Sequence, residues 1–304
     1  MIYDVVIVGG GPSGLQAALS LGRARKRVLL CDSGPRRNAA AVRIYNFVTR
    51  DATPPNDFRR VAREQLATYP NVEVQGWRVE SITGSRGAFA VTVDGRSIEA
   101  RRILLGTGMI DENPSIDGFA EHWGHSIVQC PYCHGWEQRD QRWGFLVLPQ
   151  AAPHFMMFAL QLRGWTKDVT VLTNDAFEIS EADRALMHGA GLHLETAKLA
   201  RIEGRDGHIQ SVALESGTRI PIDLLFAHPP QQQVPLVQQL GLALEDGLVK
   251  VDPMMRVTSV PGIYASGDLT TRMQGAIIAA ASGAQTAAMI NMELTAELAA
   301  AGTI

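Results

Sequence analysis

The stretch Asp4-Val5-Val6-Ile7-Val8-Gly9-Gly10-Gly11-Pro12-Ser13-Gly14 decides the fold. It opens with β-branched side chains that stop at glycine, the pattern of a short strand buried on both faces of a parallel sheet. Leu15 to Arg23 reads as a helix with small residues at Ala17 and Ala18. Strand, glycine turn and helix in this order make a nucleotide-binding unit. Gly9 serves the tight turn, Gly11 lets the backbone approach a pyrophosphate, and Gly14 permits close helix–strand packing. Pro12 and Ser13 lie where the chain enters the helix, whose first N–H groups and positive dipole end favour phosphate. A glycine-rich turn that binds nothing is the bland alternative, and the next segment weakens it. Arg27-Val-Leu-Leu-Cys31 reads as a second strand, and Asp32 follows where the ribose-binding acid of such a unit belongs. Cys31 is most simply a small hydrophobe at the strand end.

The chain around this stretch has 304 residues, enough for two domains with sizeable cores. A net charge of −3, 19% charged residues and 46% hydrophobic residues predict folding by burial and exclude a disordered tail. Lysine occurs only at Lys26, Lys167, Lys198 and Lys250, and the arginines form no basic block, so no nucleic-acid partner is expected. Three cysteines, Cys31, Cys130 and Cys133, are too few for a secreted disulfide framework and fit a reducing compartment. No apolar run approaches the ~18 residues of a membrane span. Met1-Ile2-Tyr3-Asp4 lacks the charged region of a secretory leader. A cytoplasmic protein without a membrane partner is expected.

Two further segments extend the first motif. Arg102-Ile-Leu-Leu-Gly-Thr107-Gly108 reads as a strand ending in Thr-Gly, and Thr258 to Asp268 as a strand presenting Gly267 and Asp268 at its end. In this order the three motifs resemble the two-dinucleotide-domain flavoproteins of the thioredoxin-reductase-like, FAD-dependent disulfide oxidoreductase family. The resemblance implies an α/β fold of two Rossmann-like, three-layer ββα domains, with FAD as cofactor and a homodimer as the assembly. It implies that Asp268 contacts the ribityl or phosphate region and that Asn46, in Ile44-Tyr45-Asn46-Phe47, contacts the flavin ring. Arg37 and Asn38 fall on the loop after Asp32 that wraps the cofactor, although Asn38 is equally suited to a turn. Met273-Gln274-Gly275 opens a helix whose N-terminus is aimed at the flavin, where its dipole favours an anionic ring. The small residues Ala279 to Ala284 on that helix read as close helix packing.

Cys130-Pro131-Tyr132-Cys133-His134-Gly135-Trp136-Glu137 carries the chemistry. Two cysteines three apart at a helix start can close a small disulfide, and the helix N-terminus lowers the pKa of the pair. Zinc is the alternative, with His134 as a third ligand, but a structural site needs four ligands and no second pair exists. The string resembles the flavin-dependent dithiol oxidases that close disulfides in natural products such as gliotoxin and holomycin, and a wider set of thioredoxin-reductase-like proteins. That resemblance makes Cys133 the flavin-proximal, charge-transfer thiolate and Cys130 the thiol that exchanges with substrate. Reductases usually carry Asp directly after the second cysteine; His134 stands there instead, suited to proton transfer at neutral pH, or else merely solvating the disulfide. Tyr132, Trp123 and Trp136 line a pocket for an apolar dithiol or simply pack at a domain interface. His122 and His125 are spare acid–base candidates.

A second nucleotide motif is expected and missing. The strand that starts at Trp143 leads into Leu148-Pro149-Gln150-Ala151-Ala152-Pro153-His154, with no glycine and with two prolines that cannot donate an N–H to a phosphate. The next strand, Asp168 to Leu172, ends in Thr173-Asn174-Asp175-Ala176-Phe177, with no arginine for a 2′-phosphate. The reading is therefore an FAD domain in two pieces, 1–115 and 236–304, with a degenerate NADPH-type domain, 116–235, carrying the redox motif. The hinges fall near Asn113-Pro114 and Pro229-Pro230. A hairpin is expected at Asp94-Gly95. The function expected is a dithiol oxidase acting on a small-molecule or peptide dithiol or a thioredoxin-like protein, with O2 as acceptor and H2O2 as product. The competing readings are a reductase fed by NADPH, ferredoxin or another flavin, and a non-catalytic redox-sensing flavoprotein.

Overall fold

The computed structural model describes residues 2–303. The chain divides into two compact units, 1–37 with 47–110 and 231–304, and 38–46 with 111–230. The crossings fall at Ile110–Asp111 and Pro230–Gln231, and the short segment 38–46 groups with the second unit although the sequence reading put it in the first.

In the first unit, β1 (Tyr3–Val8), α1 (Pro12–Arg23), β2 (Val28–Cys31), α2 (Pro55–Leu66) and β3 (Val72–Gln75) follow one another. β4 (Val79–Ser85), β5 (Ala88–Val93) and β6 (Arg96–Leu105) then form antiparallel hairpins. The sheet order is β3-β2-β1-β6-β5-β4, with the strand Ile263–Ala265 pairing parallel to β6. The alternation along β1 assigns its two faces. Val5 and Ile7 pack with Leu15, Ala18 and Leu21 of α1 and with Ile290 and Leu294 of the C-terminal helix Ala276–Ala300. Val6 and Val8 pack with Phe89, Val91 and Val93 of the hairpin layer. Helix layer, parallel sheet and antiparallel sheet are the expected three layers, because a strand with both faces covered has no polar positions.

Local chemistry explains the turns. Asp94 and Gly95 both have positive φ, 46° and 69°, as a two-residue hairpin turn between Val93 and Arg96 requires. The expected strand from Thr258 shrinks to Ile263–Ala265, since Pro261 has no N–H for the ladder and Gly262 turns the chain at φ 85°.

The second unit repeats the plan. Its parallel sheet runs His193–Glu195, Val169–Leu172, Trp143–Leu146, Leu224–Ala227, Ile127–Val128 in spatial order. Phe145 faces the helix Phe155–Leu162, and Leu146 faces the antiparallel strands Leu199–Arg205 and His208–Leu214. After the strand Trp143–Leu146 the chain makes a 3-10 turn over Pro149–His154.

Candidate active site

The phosphate loop of the first unit has the geometry its glycines demand. Gly9 takes φ 108°, closed to side chains, and a Cβ there would strike the Gly106 carbonyl. A Cβ on Gly14 would collide with the Gly9 carbonyl, so α1 can lie against the end of β1 only through glycine. At Gly11, the helix N-cap, a Cβ would meet nothing within 4 Å, which leaves that backbone open to a phosphate. Pro12 opens the helix, and the Ser13 and Ser266 hydroxyls share a buried hydrogen bond of 2.6 Å.

Asp32 is buried at the end of β2 and accepts from the Gly34 amide at 3.2 Å. Arg59 and Arg63 of α2 also donate to its carboxylate, Arg63 at 2.7 Å. The sequence reading missed these two arginines; their i,i+4 spacing on an amphipathic helix is the signal of them. Thr107 and Gly108 follow β6, Gly108 at φ 69°. The Thr107 hydroxyl is buried without a hydrogen-bond partner among the described residues. Gly267, at φ 85°, leads into a 3-10 turn starting at Asp268. Arg37 pairs with Asp268 at 3.3 Å and donates to Gln274, whose amide in turn donates to Gln231 at 2.8 Å. Gly275 is the N-cap of the C-terminal helix. An orphaned hydroxyl, open glycine backbone and a buried carboxylate around the carboxyl ends of β1, β2 and β6 fit a dinucleotide.

Asn38 and Asn46 both belong to the segment that clusters with the second unit. The Asn38 carbonyl accepts from the Ala41 amide, as in a turn, and Asn46 has φ 58°.

In the second unit, Cys130 and Cys133 form a disulfide with Cα atoms 5.3 Å apart. Cys130 is the N-cap of the helix Pro131–His134, which is a single turn. A one-turn helix has only a small dipole. His134 is largely buried, and its Nδ1 finds no hydrogen-bond partner among the described residues. Burial pushes its pKa below the ordinary 6.5, offset in part by the Cys130 backbone. The ring is therefore neutral at pH 7 and able to accept a proton. Gly135 is required sterically: a Cβ there would sit 3.0 Å from both Trp143 and Trp165.

Tyr132 and Trp136 are 59% and 66% exposed. The Tyr132 ring meets Trp165 edge-on at 5.3 Å, and its hydroxyl accepts from Gln161 at 2.9 Å. Trp123 instead stacks on Phe119. His122 is buried against Gly204, and His125 lies against Gly207. Among the described residues, no group of three or more His, Cys, Asp or Glu is arranged to hold a metal ion, and no helix is long and apolar enough to cross a membrane.

The family model described as pyridine nucleotide-disulphide oxidoreductase matches residues 3–283, and the chain belongs to that family. The chain is similar to thioredoxin reductase sirT of Leptosphaeria maculans, at 30% identity over 320 residues, 98% of this chain and 97% of that protein. Among solved structures it is similar to an oxidoreductase from Agrobacterium tumefaciens, with 34% identity and a TM-score of 0.91 over 97% of this chain and 99% of that one. It is also similar to HlmI, with 31% identity and a TM-score of 0.89 over 99% and 95%. The protein is an FAD-dependent thiol/disulfide oxidoreductase of the thioredoxin-reductase-like kind, as its sequence motifs imply.

Proposed function

We propose that the protein is a dithiol oxidase: it closes a disulfide in a small-molecule or peptide dithiol and does not draw electrons from NADPH. The observation that carries this reading is the loop after Trp143–Leu146. Where a nucleotide-binding unit keeps glycines, this chain has a 3-10 turn with Pro149 and Pro153. The Gln150 side chain donates at 2.7 Å to the carbonyl of His228, which ends the neighbouring strand. The turn and its bridge stand at the carboxyl ends of two adjacent parallel strands, where a pyrophosphate would need free amides.

The substrate dithiol and the Cys130–Cys133 disulfide exchange through a mixed disulfide. One S–S bond forms in the substrate as one breaks in the protein, and two electrons and two protons move to the cysteine pair. Cys130 takes the substrate sulfur, and Cys133 is the thiol released as the mixed disulfide forms. His134, neutral near pH 7, accepts the proton of the incoming thiol and returns it as the mixed disulfide resolves. FAD, when bound, would supply a two-electron acceptor for the cysteine pair, with dioxygen as the terminal oxidant and hydrogen peroxide as its product. Gly9, Gly11, Pro12, Ser13, Gly14, Asp32, Thr107, Gly108, Gly267, Asp268, Gln274 and Gly275 of the first unit would hold the FAD in this reading. The names of relatives such as sirT favour a second reading, reduction of a thioredoxin-like partner.

Variants of the two cysteines test the assignment. Cys130→Ser is expected to keep the flavin absorbance of a protein with a free Cys133 thiol but to lose peroxide formation from dithiothreitol. Full activity in Cys133→Ser would overturn the roles given to the pair.

A further inference from the structure

His228 follows the strand Leu224–Ala227 and is not used by the mechanism above. Its ring lies among Phe145 and Phe158, with centroids 5.9 and 4.5 Å away and both rings edge-on at 77°. Its Nε2 stands 3.0 Å from the carbonyl of Gln129, the residue before Cys130. Since a carbonyl can only accept, Nε2 carries the proton. Burial lowers the pKa of His228, which agrees with a neutral ring in this tautomer.

Leu225 pairs with Ile127 and Phe226 with Val128. Gln129 then leads the chain from this strand to Cys130, the helix N-cap. The His228 ring holds the Gln129 carbonyl, and the Gln150 amide fixes the His228 backbone at 2.7 Å.

We propose that Gln150 and His228 are positioning residues for the Cys130–Cys133 pair: the former nucleotide loop braces the backbone at Gln129 and so sets the balance between disulfide and dithiol. Neither residue touches substrate or cofactor in this proposal. It rests on the pair being the reaction centre.

The test equilibrates the FAD-loaded protein anaerobically with defined ratios of reduced and oxidised dithiothreitol, then traps thiols by alkylation and counts them by mass. His228→Phe keeps the aromatic packing and removes the N–H, whereas His228→Gln returns a donor close to the Nε2 position. The equilibrium constant of the pair is expected to move about fivefold in His228→Phe, to return within about twofold of wild type in His228→Gln, and to move in the same direction in Gln150→Ala. Gln150 is exposed, so its variant carries the test even if His228→Phe fails to fold. Wild-type equilibrium constants in both His228→Phe and Gln150→Ala, or a His228→Phe shift that His228→Gln does not repair, would overturn the proposal. A wild-type pair that does not exchange with dithiothreitol would instead overturn the assignment of the reaction centre.

Discussion

In the first unit β1 runs out into Gly9–Gly14 beside β6, which is followed by Gly106-Thr107-Gly108. In the second, Trp143–Leu146 runs out into Val147–His154 beside Leu224–Ala227, which is followed by His228. Four parallel strands follow one another in the same spatial order in both units, so the crevice between the two central strands is the same piece of architecture built twice. The first is finished with glycines, open backbone and an orphaned hydroxyl; the second with prolines, a 3-10 turn and a side chain tied across to the neighbouring strand. A Rossmann-like sheet is stable without its nucleotide because its core is apolar on both faces, so losing the loop leaves the fold intact. The second unit keeps the scaffold and carries the Cys130–Cys133 pair.

The sharpest way to break the comparison is to spoil the intact loop. Gly14→Ala places a methyl group against the Gly9 carbonyl, and the overpacking is expected to cost about 1–3 kcal/mol and most of the bound flavin. The ratio of flavin to protein absorbance in the purified variant checks this, and a fully yellow, equally stable protein would contradict it.

A smaller effect is expected in the second unit at His134. His134→Ala should slow flavin reduction by dithiol about 100-fold near pH 7 if the ring is the proton acceptor. Burial lowers the pKa of His134, so the neutral, proton-accepting ring persists to the acid side of 6.5 and is lost as pH falls through the lowered value. The wild-type reductive rate should therefore drop only below pH 6.5, and the variant should lack that step. Stopped-flow rates across pH 5–8 test both; an unchanged rate makes His134 a bystander.

The smallest effect is expected at the rim of the first crevice. Arg63→Ala removes a half-exposed partner of Asp32 while Arg59 remains, so flavin affinity should change by less than about fivefold. Titration of the apoprotein with FAD, followed by fluorescence quenching, measures it.

Local features were legible in the sequence. The glycine fingerprint, the hairpin at Asp94-Gly95, the redox pair and the degenerate second loop depend on neighbours within a few residues. Features set by distant residues were not. Asp32 meets arginines 27 and 31 positions away, and Gln150 reaches a carbonyl 78 positions away. Trp165, the ring beneath Tyr132, gives no local sign of its neighbour. The grouping of residues 38–46 is likewise a tertiary outcome, since nine residues without a strand have no preference of their own for either unit.

The contrast between the two crevices comes to a single question, which nucleophile delivers electrons to the flavin. Anaerobic mixing of the purified yellow protein with NADPH and, separately, with dithiothreitol answers it by the loss of flavin absorbance. The expected result is no bleaching by NADPH, bleaching by the dithiol, and return of colour with stoichiometric hydrogen peroxide when oxygen is admitted. Rapid bleaching by NADPH would contradict the account.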